Sequence, residues 1–318
     1  MSDRASIRLF TGTSHREIAS EVASYLSLPL GDARVERFAD GEVNVLINES
    51  VRGQDVFVIQ SLCRPVNDAV MELLVMVDAL RRSSARSITA VLPYYAYARQ
   101  DRQARPRTPI TAKLVADLLV TGGVDRVMAM DLHAGQIQGF FTIPFDHLYA
   151  TPVLLSAMQR VVGDAPQNAV VVSPDAGGVE RARQYAKRLG TDLVVIDKRR
   201  PAPNVAEVMN VIGDVDGKVA LIVDDMIDTA GTLCSAADAL VQRGAKDVFA
   251  FASHGLFNGP ASQRIENSVL RRVFVTNSVP VKPDELGCSR IEVLSVGALL
   301  GEAIRRVHDY SSVSSLWA

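Results

Sequence analysis

The sequence predicts two α/β domains in tandem, each a mainly parallel sheet flanked by helices. Three observations carry that expectation. The chain has 318 residues, long for one hydrophobic core and comfortable for two. Apolar runs of strand length alternate with helix-like stretches through both halves, the order that builds parallel sheets. The halves also repeat. Residues 77–91, VDALRRSSARSITAV, align without gaps to residues 237–251, ADALVQRGAKDVFAF, and Asp78, Ala79, Leu80, Ala85 and Ala90 match Asp238, Ala239, Leu240, Ala245 and Ala250. Upstream, residues 49–60, ESVRGQDVFVIQ, align with residues 213–224, GDVDGKVALIVD, each with a Gly ahead of an apolar strand. Order and spacing favour a duplication over two units that share generic patterning.

Along the chain, RFADGEV (37–43) is by its residues a surface turn. ESVRG (49–53) is a strand-entry turn that combines the hydroxyl of Ser50, the cation of Arg52 and a Gly. ARQDRQARPR (98–107) reads as a solvated charged loop. DLHAGQIQGFF (131–141) follows the apolar run VMAM and sets His133 at a strand end, where a structural and a ligating histidine are equally open readings. The boundary between domains falls near residue 150, at the polar turn before Thr151-Pro152. VVSPDAGG (171–178) ends a strand on Asp175 and two glycines, a common place for ligand contacts in α/β sheets, with a plain turn acid as the alternative. DKRRPAPN (197–204) carries Lys198, Arg199 and Arg200 in succession, and its prolines forbid regular helix, so it reads as an exposed basic loop. SVSSLW (312–317) reads as a frayed tail.

The richest stretch is VALIVDDMIDTAGTL (219–233). Val219 to Val223 read as a buried parallel strand that stops on the paired carboxylates Asp224 and Asp225. Asp228 follows, then Thr229-Ala230-Gly231-Thr232, and Leu233 to Leu240 begin a helix. Strand, Gly/Thr loop and helix start together make an anion cradle, because backbone N–H groups and the helix dipole favour negative charge there. The acids would repel a bare polyphosphate. They suit a ligand with vicinal hydroxyls beside its phosphate, such as a ribose phosphate. At the aligned positions the first copy has Gln60 and Ser61 and lacks the T-x-G-T loop, so only the second copy keeps this site.

Composition narrows the classes. Lys+Arg number 34 against 36 Asp+Glu, without the basic excess of a general nucleic-acid binder. Cys63, Cys234 and Cys288 lack metal-ligand spacing and point to a reduced compartment. The N-terminal MSDRASIRLF has no signal-peptide core and no apolar run approaches membrane-spanning length, so a cytoplasmic protein with no membrane partner is expected. No GxxxxGK[ST] or GxGxxG fingerprint supports a P-loop or Rossmann reading.

Residues 219–233 resemble the phosphoribosyl-diphosphate motif of the phosphoribosyltransferase superfamily, and almost the whole chain resembles the ribose-phosphate pyrophosphokinase family, of the phosphate-activated bacterial and animal type. The resemblance implies two phosphoribosyltransferase-like domains, 1–150 with a C-terminal tail 305–318 returning to it, and 151–304 carrying the ribose-phosphate loop. It implies pyrophosphoryl transfer from ATP to ribose 5-phosphate, with Mg²⁺, in a homo-oligomer, a hexamer by family pattern. Asp224, Asp225, Asp228, Thr229, Ala230, Gly231 and Thr232 would bind ribose 5-phosphate. Phe38, Asp40, Gly41, Glu42, Arg99, Gln100 and His133 would bind ATP, partly across subunits. His133 and Asp175 would face the metal, and Lys198 and Arg200 of the K-x-R pattern would act on the transition state. Ser50, Arg52, Ser312 and Ser314, with Trp317 as the expected aromatic, would bind activating phosphate and inhibitory ADP. The chain has Gln103-Ala104 where members vary, which leaves Arg99 and Gln100 in place. A phosphoribosyltransferase, a non-catalytic subunit and a transcriptional regulator of the same fold are the rivals. None accounts for both the ATP segments and the retained Lys198, Arg200 and His133.

Overall fold

A computed structural model describes residues 6–199 and 208–317. The chain divides into two compact units, Met1–Tyr149 with Ser278–Pro280 and Ser295–Ala318, and Ala150–Asn277 with Val281–Leu294.

The first unit opens with β1 (Ile7–Thr11) and α1 (Arg16–Leu26), followed by the antiparallel pair β2 (Ala33–Arg37) and β3 (Val43–Ile47). Then come β4 (Asp55–Ile59), α2 (Val66–Arg82), β5 (Ser87–Leu92), α3 (Thr111–Gly122), β6 (Arg126–Met130) and β7 (Phe145–Leu148). Strands β1, β4, β5, β6 and β7 form one sheet in that order, every neighbouring pair parallel. All five residues of β4 are buried, as expected for a parallel strand covered on both faces, and this is why DVFVI reads as an unbroken apolar run.

The second unit contains α4 (Thr151–Val162), β8 (Ala169–Ser173), α5 (Val179–Leu189), β9 (Asp192–Arg199), β10 (Val208–Ile212), β11 (Val219–Ile227), α6 (Gly231–Gln242), β12 (Asp247–Gly255), α7 (Ala261–Glu266), β13 (Arg272–Thr276), α8 (Pro283–Leu286) and β14 (Ile291–Leu294). Its sheet runs β10-β9-β8-β11-β12-β13-β14, parallel except for the β9/β10 pair. From β8 the chain first builds outward to β9 and β10, then crosses back to β11 and builds the other way. The strand order therefore reverses between β8 and β11. At such a switch point the loops leave on opposite sides and open a crevice at the carboxyl ends of the strands. Ala220, Ile222, Val170, Val172, Ala236 and Leu240 belong to the apolar core that holds this part of the sheet to its helices.

The two aligned segments fall on equivalent elements, α2 with β5 and α6 with β12. In the first copy the place of the paired acids is closed from within. Glu72 of α2, 3% exposed, accepts the Thr13 N–H at 2.5 Å, the Thr13 hydroxyl at 2.7 Å and the Gln60 amide at 2.8 Å. Ser14 Oγ donates to Gln60 Oε1 at 2.8 Å, and Ser61 Oγ donates to the Ser278 carbonyl. A Cβ at residue 12 would lie 2.2 Å from Glu72 Oε1, so only Gly12 allows the carboxylate this close.

Three features differ from the sequence expectation. The β11 strand does not stop on Asp224 and Asp225 but runs to Ile227. Its pairing with β8 ends at Ile222, while its ladder with β12 continues through Asp224, Met226 and Ile227. The segment 197–204 does not begin as a free loop: β9 extends through Lys198 and Arg199, paired antiparallel with Met209 and Val208 of β10. Arg200 and the prolines at 201 and 203 lie outside the described residues. The C-terminal return to the first unit begins at Ser295, ahead of the expected 305, and brings α9 (Gly297–His308) against α1. A Cβ at Gly297 or Gly301 would come within 2.6 Å of Glu21 or Tyr25, so both glycines let the helices approach. Among the described residues no helix is long and apolar enough to cross a membrane.

Candidate active site

The crevice at the β8/β11 switch point holds a cavity of about 210 Å³, lined by Asp175 from the β8 end and by Asp224, Asp228, Thr229, Ala230, Gly231 and Thr232 from β11 and the loop after it. Ala230 adopts the left-handed conformation, φ 57°, immediately before α6. A non-glycine residue held there costs energy and turns the chain sharply from strand into helix. The first-turn amides of α6 therefore open toward the cavity, where a helix N-terminus favours an anion. Asp228 is braced by Asn258, whose Nδ2 donates to Oδ1 at 2.7 Å and whose N–H donates to the Asp228 carbonyl at 2.9 Å.

The two adjacent acids do different things. Successive strand residues face opposite sides of a sheet. Asp224 lines the cavity, whereas Asp225 is 3% exposed and does not. Arg181 of α5 lies between them, its Nη1 3.6 Å from Asp224 Oδ1 and 3.5 Å from Asp225 Oδ1. Burial and the neighbouring Asp225 carboxylate push the Asp224 carboxyl well above the usual carboxylate range, and Arg181 opposes them only in part. Asp175 is exposed; its Oδ1 accepts the Gly178 N–H at 2.9 Å at the entry to α5, which leaves its second oxygen for the cavity.

In the first unit, Phe38, Asp40, Gly41 and Glu42 form the tip of the β2/β3 hairpin. Phe38 N–H donates to the Glu42 carbonyl and Gly41 N–H to that of Phe38, both at 2.9 Å. Gly41 has φ +96°, a turn geometry in which a side chain would be strained. Phe38 is 53% exposed, a large ring face left open. Arg99 and Gln100 are exposed on the loop after β5, which is pinned by the Ala112 N–H to Gln100 carbonyl bond at 3.2 Å and by the Gln136 amide on Asp101 at 2.7 Å. That second bond ties the loop to the segment bearing His133. His133 itself is exposed, just past Asp131, a residue with φ 39°.

Residues 7–123 match the family model for the N-terminal domain of ribose phosphate pyrophosphokinase, and residues 200–318 match the phosphoribosyl synthetase-associated domain. A ribose-phosphate pyrophosphokinase of Aquifex aeolicus is 55% identical over 98% of this chain and 99% of its own length. That of Vibrio parahaemolyticus is 56% identical over 98% and 99%. This chain belongs to the ribose-phosphate pyrophosphokinase family. A crystal structure of phosphoribosylpyrophosphate synthetase from Mycobacterium smegmatis superposes with a TM-score of 0.91 at 44% identity, covering 96% of this chain and all of the other. Its agreement with both sheets gives the pyrophosphokinase fold, two phosphoribosyltransferase-like α/β units.

Of the pyrophosphokinase segments expected to bind regulators, Ser50 and Arg52 are exposed ahead of β4. The Gly53 N–H donates to the Ser84 carbonyl at 2.9 Å, and Arg86 from the same turn reaches the Tyr310 hydroxyl at 3.2 Å. The turn 83–86 thus stands between the strand-entry segment and the C-terminal tail. In that tail Ser312 and Ser314 hydroxyls lie 3.1 Å apart, and Trp317 meets Tyr149 edge-on with ring centroids 5.5 Å apart. Sequence reading missed Arg181, Asn258 and the contacts that the turn 83–86 makes on either side. No spacing rule marks them, because each reaches its partner from a separate element.

Proposed function

We propose that this chain transfers the pyrophosphoryl group of ATP to the 1-hydroxyl of ribose 5-phosphate, giving 5-phosphoribosyl 1-diphosphate and AMP. The observation that carries the reading is the β11 cavity, where the carboxylates of Asp175, Asp224 and Asp228 and a Thr/Gly helix-start loop share a crevice. Membership of a family whose curated relatives bear that activity in their name supports it. In this reading the amides and hydroxyls of Thr229 to Thr232 hold the 5-phosphate. Asp224 accepts hydrogen bonds from the ribose hydroxyls, and Asp225, buried against Arg181, sets the charge of its neighbour. The 1-hydroxyl attacks the β-phosphorus of ATP and AMP leaves in line. Alignment and charge neutralisation are the protein's main tasks in such a transfer. Phe38 stacks on adenine, Asp40 and Glu42 read its polar edge, and Arg99, Gln100 and His133 hold the phosphate end. Lys198 and Arg200 meet the charge that develops on the transferred group.

Mg²⁺ fits the donor set. No group of three or more His, Cys, Asp and Glu is arranged to hold a metal ion among the described residues. Asp175 offers a carboxylate oxygen at the cavity. One or two protein donors, with substrate phosphates and water completing the shell, is the usual Mg²⁺ arrangement, and Asp175 and His133 would be those donors. The bound ion would neutralise phosphate charge. Incubation with Mg-ATP and ribose 5-phosphate tests the proposal: AMP should appear only when both are present, and ADP in its place would refute pyrophosphoryl transfer.

Ionisation of Asp224 sets a pH dependence. A protonated carboxyl is a poorer acceptor for ribose hydroxyls, and its proton affinity is raised here by burial and by Asp225. Affinity for ribose 5-phosphate should therefore climb with pH across roughly pH 6.5–8.5, after the substrate's own phosphate has ionised near pH 6. KM for ribose 5-phosphate measured across that range, in wild type and Asp224→Asn, checks this; an equal slope in the variant would remove Asp224 as the cause.

We also propose that phosphate and ADP regulate the enzyme at Ser50, Arg52, Ser312 and Ser314, in a homo-oligomer where neighbouring chains complete the site. The bridging turn 83–86 and the paired serines support this. Arg52→Ala should leave both substrate KM values unchanged and abolish the phosphate and ADP responses in initial rates. Wild-type responses to both would eliminate the site.

A further inference from the structure

Adjoining the phosphate loop is a second groove, of about 610 Å³ between α6 and α7, lined by Gly231, Cys234, Asp238 and Arg264 among others. Arg264 does not line the cavity. Its Nη1 instead donates to the Thr229 carbonyl at 3.0 Å. We infer that Arg264 is a positioning residue for the phosphate loop, acting through the backbone; the inference rests on the assignment of residues 228–232 to the 5-phosphate.

Peptide geometry makes the connection. In a planar trans peptide the C=O and the following N–H point in opposite directions. Holding the Thr229 carbonyl toward the groove therefore aims the Ala230 N–H away from it, toward the cavity that Ala230 lines. The same bond restrains the residue that carries the strained left-handed turn, Ala230 at φ 57°. Without an anchor, that peptide has an incentive to flip.

Gly231 is explained by the same contact. It is the first residue of α6 and has no left-handed backbone that would demand glycine. A Cβ there would lie 3.2 Å from Arg264 Nη1, tighter than ordinary contact. The glycine makes room for the guanidinium. Charge adds a second part. A cation beside a helix N-terminus opposes the helix dipole when the site is empty. A phosphate dianion relieves that repulsion, so the arrangement favours the dianionic ligand over a neutral sugar.

The test is steady-state kinetics of the full-length enzyme, with KM for each substrate measured separately. Arg264 is exposed on a short helix, so Arg264→Ala should fold with near wild-type Tm. It should raise KM for ribose 5-phosphate about fivefold or more, somewhat less than a full charge-assisted hydrogen bond because the exposed guanidinium acts only through the backbone, and leave KM for ATP unchanged. Arg264→Lys should fall between, and added guanidinium ion should partly restore Arg264→Ala. Gly231→Ala should harm ribose 5-phosphate use alone, yet the double variant Gly231→Ala/Arg264→Ala should be no worse than the worse single change. Wild-type KM for ribose 5-phosphate in Arg264→Ala, equal losses for both substrates, or additive losses in the double variant would each overturn the inference. Thr232→Val separates the two levels. If it too leaves KM for ribose 5-phosphate unchanged, the loop assignment itself fails; if it raises that KM while Arg264→Ala does not, only the role of Arg264 fails.

Discussion

Lys198→Ala is expected to lower kcat by about 10²–10³-fold, the usual cost of removing one preorganised group that meets developing charge, with both KM values close to wild type. An interaction made only in the transition state is lost from kcat and leaves ground-state binding intact. Pyrophosphoryl transfer spreads charge over the moving phosphoryl oxygens and the departing AMP, so a cation met late in the reaction has a large lever. The fold strengthens this case. Lys198 stands on the β9/β10 ladder opposite Met209, so its backbone is already held by strand pairing when substrate arrives. Arg200→Ala should act in the same direction, and Arg199→Ala should be milder. Rapid-quench and steady-state rates on the three variants are the measurement. If Arg199→Ala proved the most damaging, the K-x-R alignment of Lys198 and Arg200 would be wrong.

What the sequence disclosed and what it withheld divide along a physical line. Local patterns were readable. The run from Val219 to Val223, the paired acids and the Thr229–Thr232 loop lie within one continuous stretch, and each obeys a near-neighbour rule of strand burial or helix entry. The duplication was readable because it preserves the order of helix end, turn and strand, now α2 with β5 and α6 with β12. What could not be read comes from partners far apart in the chain. The basic segment looked like a loop because Pro201 and Pro203 forbid regular helix, and only the β10 partner strand shows that Lys198 and Arg199 are paired in a ladder. The start of the C-terminal return depends on α1 meeting Gly297 and Gly301, a contact with no local signature. The fate of the first copy was half legible. Gln60 and Ser61 announce that the acids are gone, but nothing near them in sequence announces that Glu72 fills the space. The different burial of Asp224 and Asp225 follows from strand alternation, once the strand is known to continue through both.

That difference underlies the second large effect. Asp224→Asn is expected to raise KM for ribose 5-phosphate about tenfold or more, since hydrogen bonds to a charged acceptor contribute roughly 1.5–3 kcal/mol, with little change in KM for ATP. Asp225→Asn should also weaken ribose 5-phosphate, because Arg181, now shared between the two acids, is left to pair with Asp224 and compete with the ribose hydroxyls. The same substitution at Asp224 should stabilise the fold, and the sign follows from linkage. The folded state holds the Asp224 proton more tightly than the unfolded chain, because burial and Asp225 disfavour its carboxylate. Stability therefore falls as pH rises from the ordinary carboxylate range through the raised value, since over that window the native state binds more protons than the unfolded one. Near neutral pH the folded state holds the Asp224 group protonated, and above the raised value it carries the carboxylate, in both cases at a cost to folding that an uncharged amide of the same shape removes. Asp224→Asn should then show a higher Tm than wild type above neutral pH, with the gain shrinking toward acid pH. A variant that lost ribose 5-phosphate binding by general damage would show the opposite, a lower Tm at every pH. Thermal melts over a pH series, paired with KM for each substrate, distinguish the two. A higher Tm with a selectively raised KM for ribose 5-phosphate would mark Asp224 as a residue kept in an unfavourable ionised state for the ligand it holds, and a uniform fall in Tm would reject that account.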